Sequence, residues 1–116
     1  FTIKMKVKFE EDVAEPVFAF TFKNLTGIEI TGTNTMLEKK GVEPRKAKDV
    51  QSISFTQRMI LQGGEYLLSL GCTGYEHETF QVHHRLYDVC NLTVISNKNT
   101  VGFFDMESSV SVEGNV

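Results

Sequence analysis

Phe1-Thr2-Ile3-Lys4-Met5-Lys6-Val7-Lys8-Phe9 opens the chain, and its alternation decides the fold class. Ile3, Met5, Val7 and Phe9 hold one phase, and Lys4, Lys6 and Lys8 hold the other. A period of two places the apolar set on one face of a half-buried strand and the ammonium groups on the opposite face. Three outward lysines also discourage edge-to-edge pairing. Working outward, Phe18, Phe20 and Phe22 repeat the period against Ala19 and Thr21, and Asn24–Gly27 is a turn cluster. A short third strand is expected over 28–31. Periodicity is then lost from Thr35 to Asp49, where Gly41 and Pro44 sit among an excess of basic residues. This stretch reads as a solvated loop.

A strand pattern resumes with Ile53, Phe55, Met59 and Leu61, turns at Gln62-Gly63-Gly64, and continues through Tyr66, Leu68 and Leu70. Residues 71–78 read as a loop, and 80–96 as more than one strand's length with a bend near Asp88. Gly102–Met106 reads as a short strand, and Val110 and Val112 begin a last alternating segment. About eight short strands with no helix longer than a turn predict an all-β sandwich, with a closed barrel as the alternative.

The composition agrees. The chain has 116 residues, enough for one domain, with 41% hydrophobic and 23% charged residues, ordinary globular usage. Its net charge of −3 offers no basic footprint for nucleic acid. Nine Phe and no Trp suit a core layer between two sheets. Cys72 and Cys90 form neither a CxxC pair nor a disulfide framework, so both read as free thiols of a reducing compartment. No apolar run approaches a membrane span, and no leader pattern is present. A start at Phe1 in mid-strand reads as the edge of a module from a longer protein.

Catalytic signatures are missing. GxSxG, HExxH, GxxxxGK[ST] and GxGxxG all fail to occur. The carboxylates are scattered, which disfavours glycoside hydrolysis. His83 and His84 point to opposite faces of a regular strand and cannot share a metal ion. No catalytic residue, metal or cofactor is expected. The informative stretch is 81–88, where alternation groups Gln81, His83, Arg85 and Tyr87. Such a stripe of planar donors and acceptors ending in a ring suits hydrogen bonds to sugar hydroxyls; a solvated sheet face with incidental cross-strand pairs fits equally well. Gln57 and Tyr75 would extend the patch.

Four motifs in order add a family likeness: Gly32-Thr33-Asn34-Thr35, Leu61-Gln62-Gly63-Gly64-Glu65-Tyr66-Leu67-Leu68-Ser69-Leu70-Gly71, His84-Arg85-Leu86-Tyr87-Asp88-Val89 and Val101-Gly102-Phe103-Phe104-Asp105-Met106. The chain resembles the C-terminal domain of the ATP-binding subunit of O-antigen and teichoic-acid type polysaccharide ABC transporters, the Wzt C-terminal domain. That resemblance implies an immunoglobulin-like β-sandwich spanning 1–116, detached from an N-terminal ATP-binding domain. It implies non-catalytic binding of the exported polysaccharide (O-antigen or a similar glycan), at the cytoplasmic face of the cell membrane. It also implies a homodimer that exchanges C-terminal strands, here from about Ser109 to Val116, and contact with the transporter's membrane subunit through the parent protein. A dimerisation module without glycan contact is the competing reading.

Overall fold

The computed structural model describes residues 1–76 and 79–114, with backbone alone at 75–76 and 79–89. Among the described residues six strands form: β1 (Thr2–Lys8), β2 (Glu15–Asn24), β3 (Glu29–Asn34), β4 (Val50–Thr56), β5 (Gly64–Glu76) and β6 (Thr79–Val94). No helix occurs among the described residues. β1 and β4 pair in one antiparallel sheet, and the other sheet runs β3-β2-β5-β6. The molecule is an all-β sandwich with two strands facing four.

The opening alternation folds as the sequence requires. Ile3 and Met5 are buried, and they stand opposite Phe55 and Ile53 across the ladder. On β2, Phe18, Phe20 and Phe22 are all buried, with Phe18 fully enclosed. The aromatic rings link the layers by edge-on contacts: Phe20 meets Phe55 at 4.9 Å between centroids, and Phe9 meets Phe18 at 6.1 Å. Tilted and edge-on geometries bring ring edges onto ring faces, which the quadrupoles favour. Val13, Leu61, Tyr66, Leu68 and Cys72 complete the core.

The strand count is six where about eight were expected, and each difference has a physical cause. Residues 71–76 belong to β5 rather than a loop, because β5 is paired on both sides. Gly71 lies opposite Ala19 and Arg85, and Gly74 opposite Pro16 and Gln81. Double pairing overrides the weak strand preference of glycine. Of the stretch 80–96, residues up to Val94 fold as one long strand, β6, because register shifts absorb its irregularities. The expected strand at 102–106 reduces to a single bridge, Leu61 to Phe104. Val110 and Val112 stay highly exposed and join no strand. Alternation gives a segment a strand-like face, but a strand also needs a neighbour's backbone.

The solvated loop expected over 35–49 is present as turns and irregular chain. Its ends are fastened. The Thr35 hydroxyl accepts from the Phe18 N–H at 3.2 Å, and the Leu37 N–H donates to Asn34 Oδ1 at 2.7 Å. A bridge between Val13 and Arg45 holds the far end.

Candidate functional site

The residues expected to form the binding patch fall in two separate places. Gln81, His83, Arg85 and Tyr87 lie on β6, at one edge of the four-stranded sheet. Tyr75 is near the end of β5, opposite Phe80 in the ladder. The side chains of these five lie outside the described residues, so only their register is known. Gln81 pairs with Gly74 and Arg85 with Gly71, but one register shift separates them, and His83 is the extra residue there. A second shift sets Ser69 against the run 87–89, which includes Tyr87 and Asp88. That irregularity falls where the sequence suggested a bend. Between them the two shifts interrupt the unbroken period-two run read from the sequence.

Gln57 lies elsewhere, just beyond β4. Its backbone N–H donates to the Phe1 carbonyl at 3.0 Å, and the terminal ammonium of Phe1 donates to the Gln57 carbonyl at 2.7 Å. The side-chain amide donates to the Phe55 carbonyl at 3.3 Å. Gln57 therefore closes the β1–β4 ladder while lining a cleft of about 810 Å³ that opens between β4 and β3. β3 and β6 are opposite edges of the same sheet, so Gln57 does not extend the β6 stretch.

The cleft is built from elements legible in the sequence but not assigned there to a site. Its floor is Phe20, Ile53 and Phe55. Thr31 and Thr33 of β3 pair with Phe22 and Phe20, so they share the inward face with two core aromatics. Hydroxyls thus stand where a sandwich core calls for apolar side chains. From the following loop come Glu38 and Lys40. The Thr33 hydroxyl donates to Glu38 Oε1 at 2.9 Å, which fixes the carboxylate at the rim. The sequence does carry a signal for this: Thr31 and Thr33 hold the polar phase of a strand beside the Phe-rich β2. Gly32 is confined by its neighbour, since a Cβ there would stand 2.5 Å from the Phe20 carbonyl oxygen.

The ionisable groups of the core do not suggest catalysis. Burial alone pushes the Cys72 thiol up to about 11 and raises the Tyr66 hydroxyl from its ordinary value. A thiol held protonated in this way is a poor nucleophile. Tyr66 donates to the Gln62 carbonyl at 2.6 Å, which is a structural bond across the turn before β5. Among the described residues no three His, Cys, Asp or Glu side chains gather as a metal site.

The model of the Wzt C-terminal domain family matches residues 1–106. The chain belongs to the Wzt C-terminal domain family. The solved crystal structure of the C-terminal domain of Wzt superposes with a TM-score of 0.86 and 30% identity, covering 97% of this chain and 69% of that one. No curated protein matches the chain. Membership supports a role in a polysaccharide ABC transporter, and the Wzt C-terminal domain is a non-catalytic domain. No helix of the described residues is long and apolar enough to cross a membrane.

Proposed function

We propose that this Wzt C-terminal domain binds the exported polysaccharide and gives the transporter its substrate recognition. The observation that carries the reading is the family match over residues 1–106 together with the close structural likeness. In this reading ATP hydrolysis is carried by a separate ATP-binding domain of the transporter at the cytoplasmic face of the membrane. Open sites of this kind bind weakly, with Kd on the order of 10–1000 μM, and two sites in a dimer raise the avidity. The test is a calorimetric titration of surface polysaccharide from the source cells into the chain. Saturable binding supports the reading. A stable dimer that binds no such glycan instead favours a purely structural module.

The proposed dimer exchanges C-terminal strands, and several features support a receiving edge on β1. The two-stranded sheet leaves that edge without a partner strand among the described residues. Beside it a cavity of about 660 Å³ is lined by Met5, Val7 and Phe9 from the β1 side and by Leu70 and Cys72 from β5. In the tail, Val110 and Val112 share a phase, while Glu107, Ser109, Ser111 and Glu113 share the other. A strand added at β1 would put both valines over the cavity and Glu113 on the same side as Lys4, Lys6 and Lys8. Fully extended, residues 109–116 would reach about 26 Å, comparable to the length of β1.

A further inference from the structure

We propose that the cleft between β3 and β4 is a saccharide subsite that takes a neutral, hydroxyl-rich sugar unit. The proposal rests on the glycan-binding reading above and names a location for it that differs from the β6 stretch.

The first argument is the misplaced polarity. Thr31 and Thr33 face inward with Phe22 and Phe20, at a position where a closed sandwich gains most from apolar side chains. Thr31 nonetheless remains exposed and Thr33 half-buried, and both line the cleft. Placing hydroxyls on a core-facing phase forgoes apolar burial, and a polar occupant recovers the hydrogen bonds. The second argument is the chemistry of the rim. Glu38 uses Oε1 to accept from Thr33, and among the described residues Oε2 has no protein donor. A carboxylate fixed by one bond and open at the other oxygen accepts well from a sugar hydroxyl, and charge-assisted bonds are the stronger kind. Lys40 supplies ammonium donors on the same rim, and Gln57, whose amide nitrogen donates to the Phe55 carbonyl, also lines the cleft. Glu38 and Lys40 cancel in charge, so the rim favours a neutral unit over an anionic one.

The third argument is the floor. Phe20 and Phe55 meet edge to face, and Ile53 lies beside them. A pyranose ring has an apolar C–H face and a polar perimeter, which matches an apolar base ringed by hydroxyls, carboxylate and amide. The volume of about 810 Å³ falls within the ordinary range of small-molecule sites.

The experiment is a titration of the source cells' surface polysaccharide, released by mild acid, into the chain and three variants: Glu38→Gln, Thr31→Trp and Arg85→Ala. Each variant is first checked by thermal unfolding, so that a folding defect is separated from a binding defect. Loss of a charge-assisted bond in Glu38→Gln is expected to weaken binding roughly 10- to 100-fold, and Thr31→Trp, which fills the cleft from an exposed position, to abolish it. Arg85→Ala is expected to bind as the unsubstituted chain does. If the unsubstituted chain binds glycan and both cleft variants bind equally well, the subsite is overturned while the glycan-binding reading stands. Loss of binding in Arg85→Ala alone overturns the subsite in the same way. If the unsubstituted chain binds no glycan, the broader reading fails and the subsite with it.

Discussion

Gly32 and the two cysteines show how far single positions are determined by their neighbours. A Cβ at Gly32 would meet the Phe20 carbonyl oxygen at 2.5 Å, and that oxygen is backbone within a paired strand that cannot step aside. Gly32→Ala should therefore cost about 1–3 kcal/mol, the usual penalty for overpacking, measured by urea unfolding. A variant of unchanged midpoint would show that β3 relaxes freely. Cys72 is 2% exposed, whereas Cys90 is exposed to solvent. Iodoacetamide at pH 8 should label one cysteine in the native chain and both after denaturation, as counted by mass spectrometry. The thiol of Cys72 titrates at about 11 when folded, above its ordinary 9.0. Between those values the unfolded chain has lost a proton that the folded chain keeps, so stability is undiminished below pH 9 and falls as pH rises toward 11. Cys72→Ala should flatten that fall.

The elements show which parts of a β fold a sequence reveals. β1, β2 and the loop over 35–49 are legible, because each writes its burial directly into alternation or into its loss. Ile3, Met5 and the three phenylalanines of β2 are buried as their phase demands. What stays hidden depends on partners. Gly71 and Gly74 read as loop residues until β2 and β6 pair with them from both sides. Gln57 stands out in the sequence as a polar candidate, but its distance from β6 follows from strand order, which period alone does not encode. Thr31 and Thr33 are visible in the sequence as a polar phase, but that this phase faces inward follows only from their pairing with Phe22 and Phe20 of β2. The tail shows the converse, a strand pattern without a strand. Glu107 turns there with φ 55°, an ion pair joins it to Arg58, and the chain beyond is exposed. Val110→Asp with Val112→Asp should convert a dimer to monomer in sedimentation velocity without unfolding it, because neither valine packs in the core of its own protomer. Persistence of the dimer at micromolar concentration would exclude exchange through this segment.

At the scale of the whole molecule, the radius of gyration is 18.3 Å with extents of 69 × 29 × 22 Å. A compact chain of this length would have a radius near roughly 13 Å. The excess follows from architecture. β6 alone, at sixteen residues, spans about 50 Å when extended, and the tail lies outside the sandwich. The edge-to-face contact of Phe20 with Phe55 joins the two sheets and also forms the floor of the β3–β4 cleft. A sugar seated there would touch the very pair that holds the layers together, so occupancy and global unfolding would be linked by mass action. Glycan at a hundredfold excess over its Kd should add about 2.7 kcal/mol and raise the melting temperature by about 10 °C. Thermal melts could thus report the cleft's ligand before any affinity is known, with the added stability cut to about 0.4–1.4 kcal/mol in Glu38→Gln and absent in Thr31→Trp.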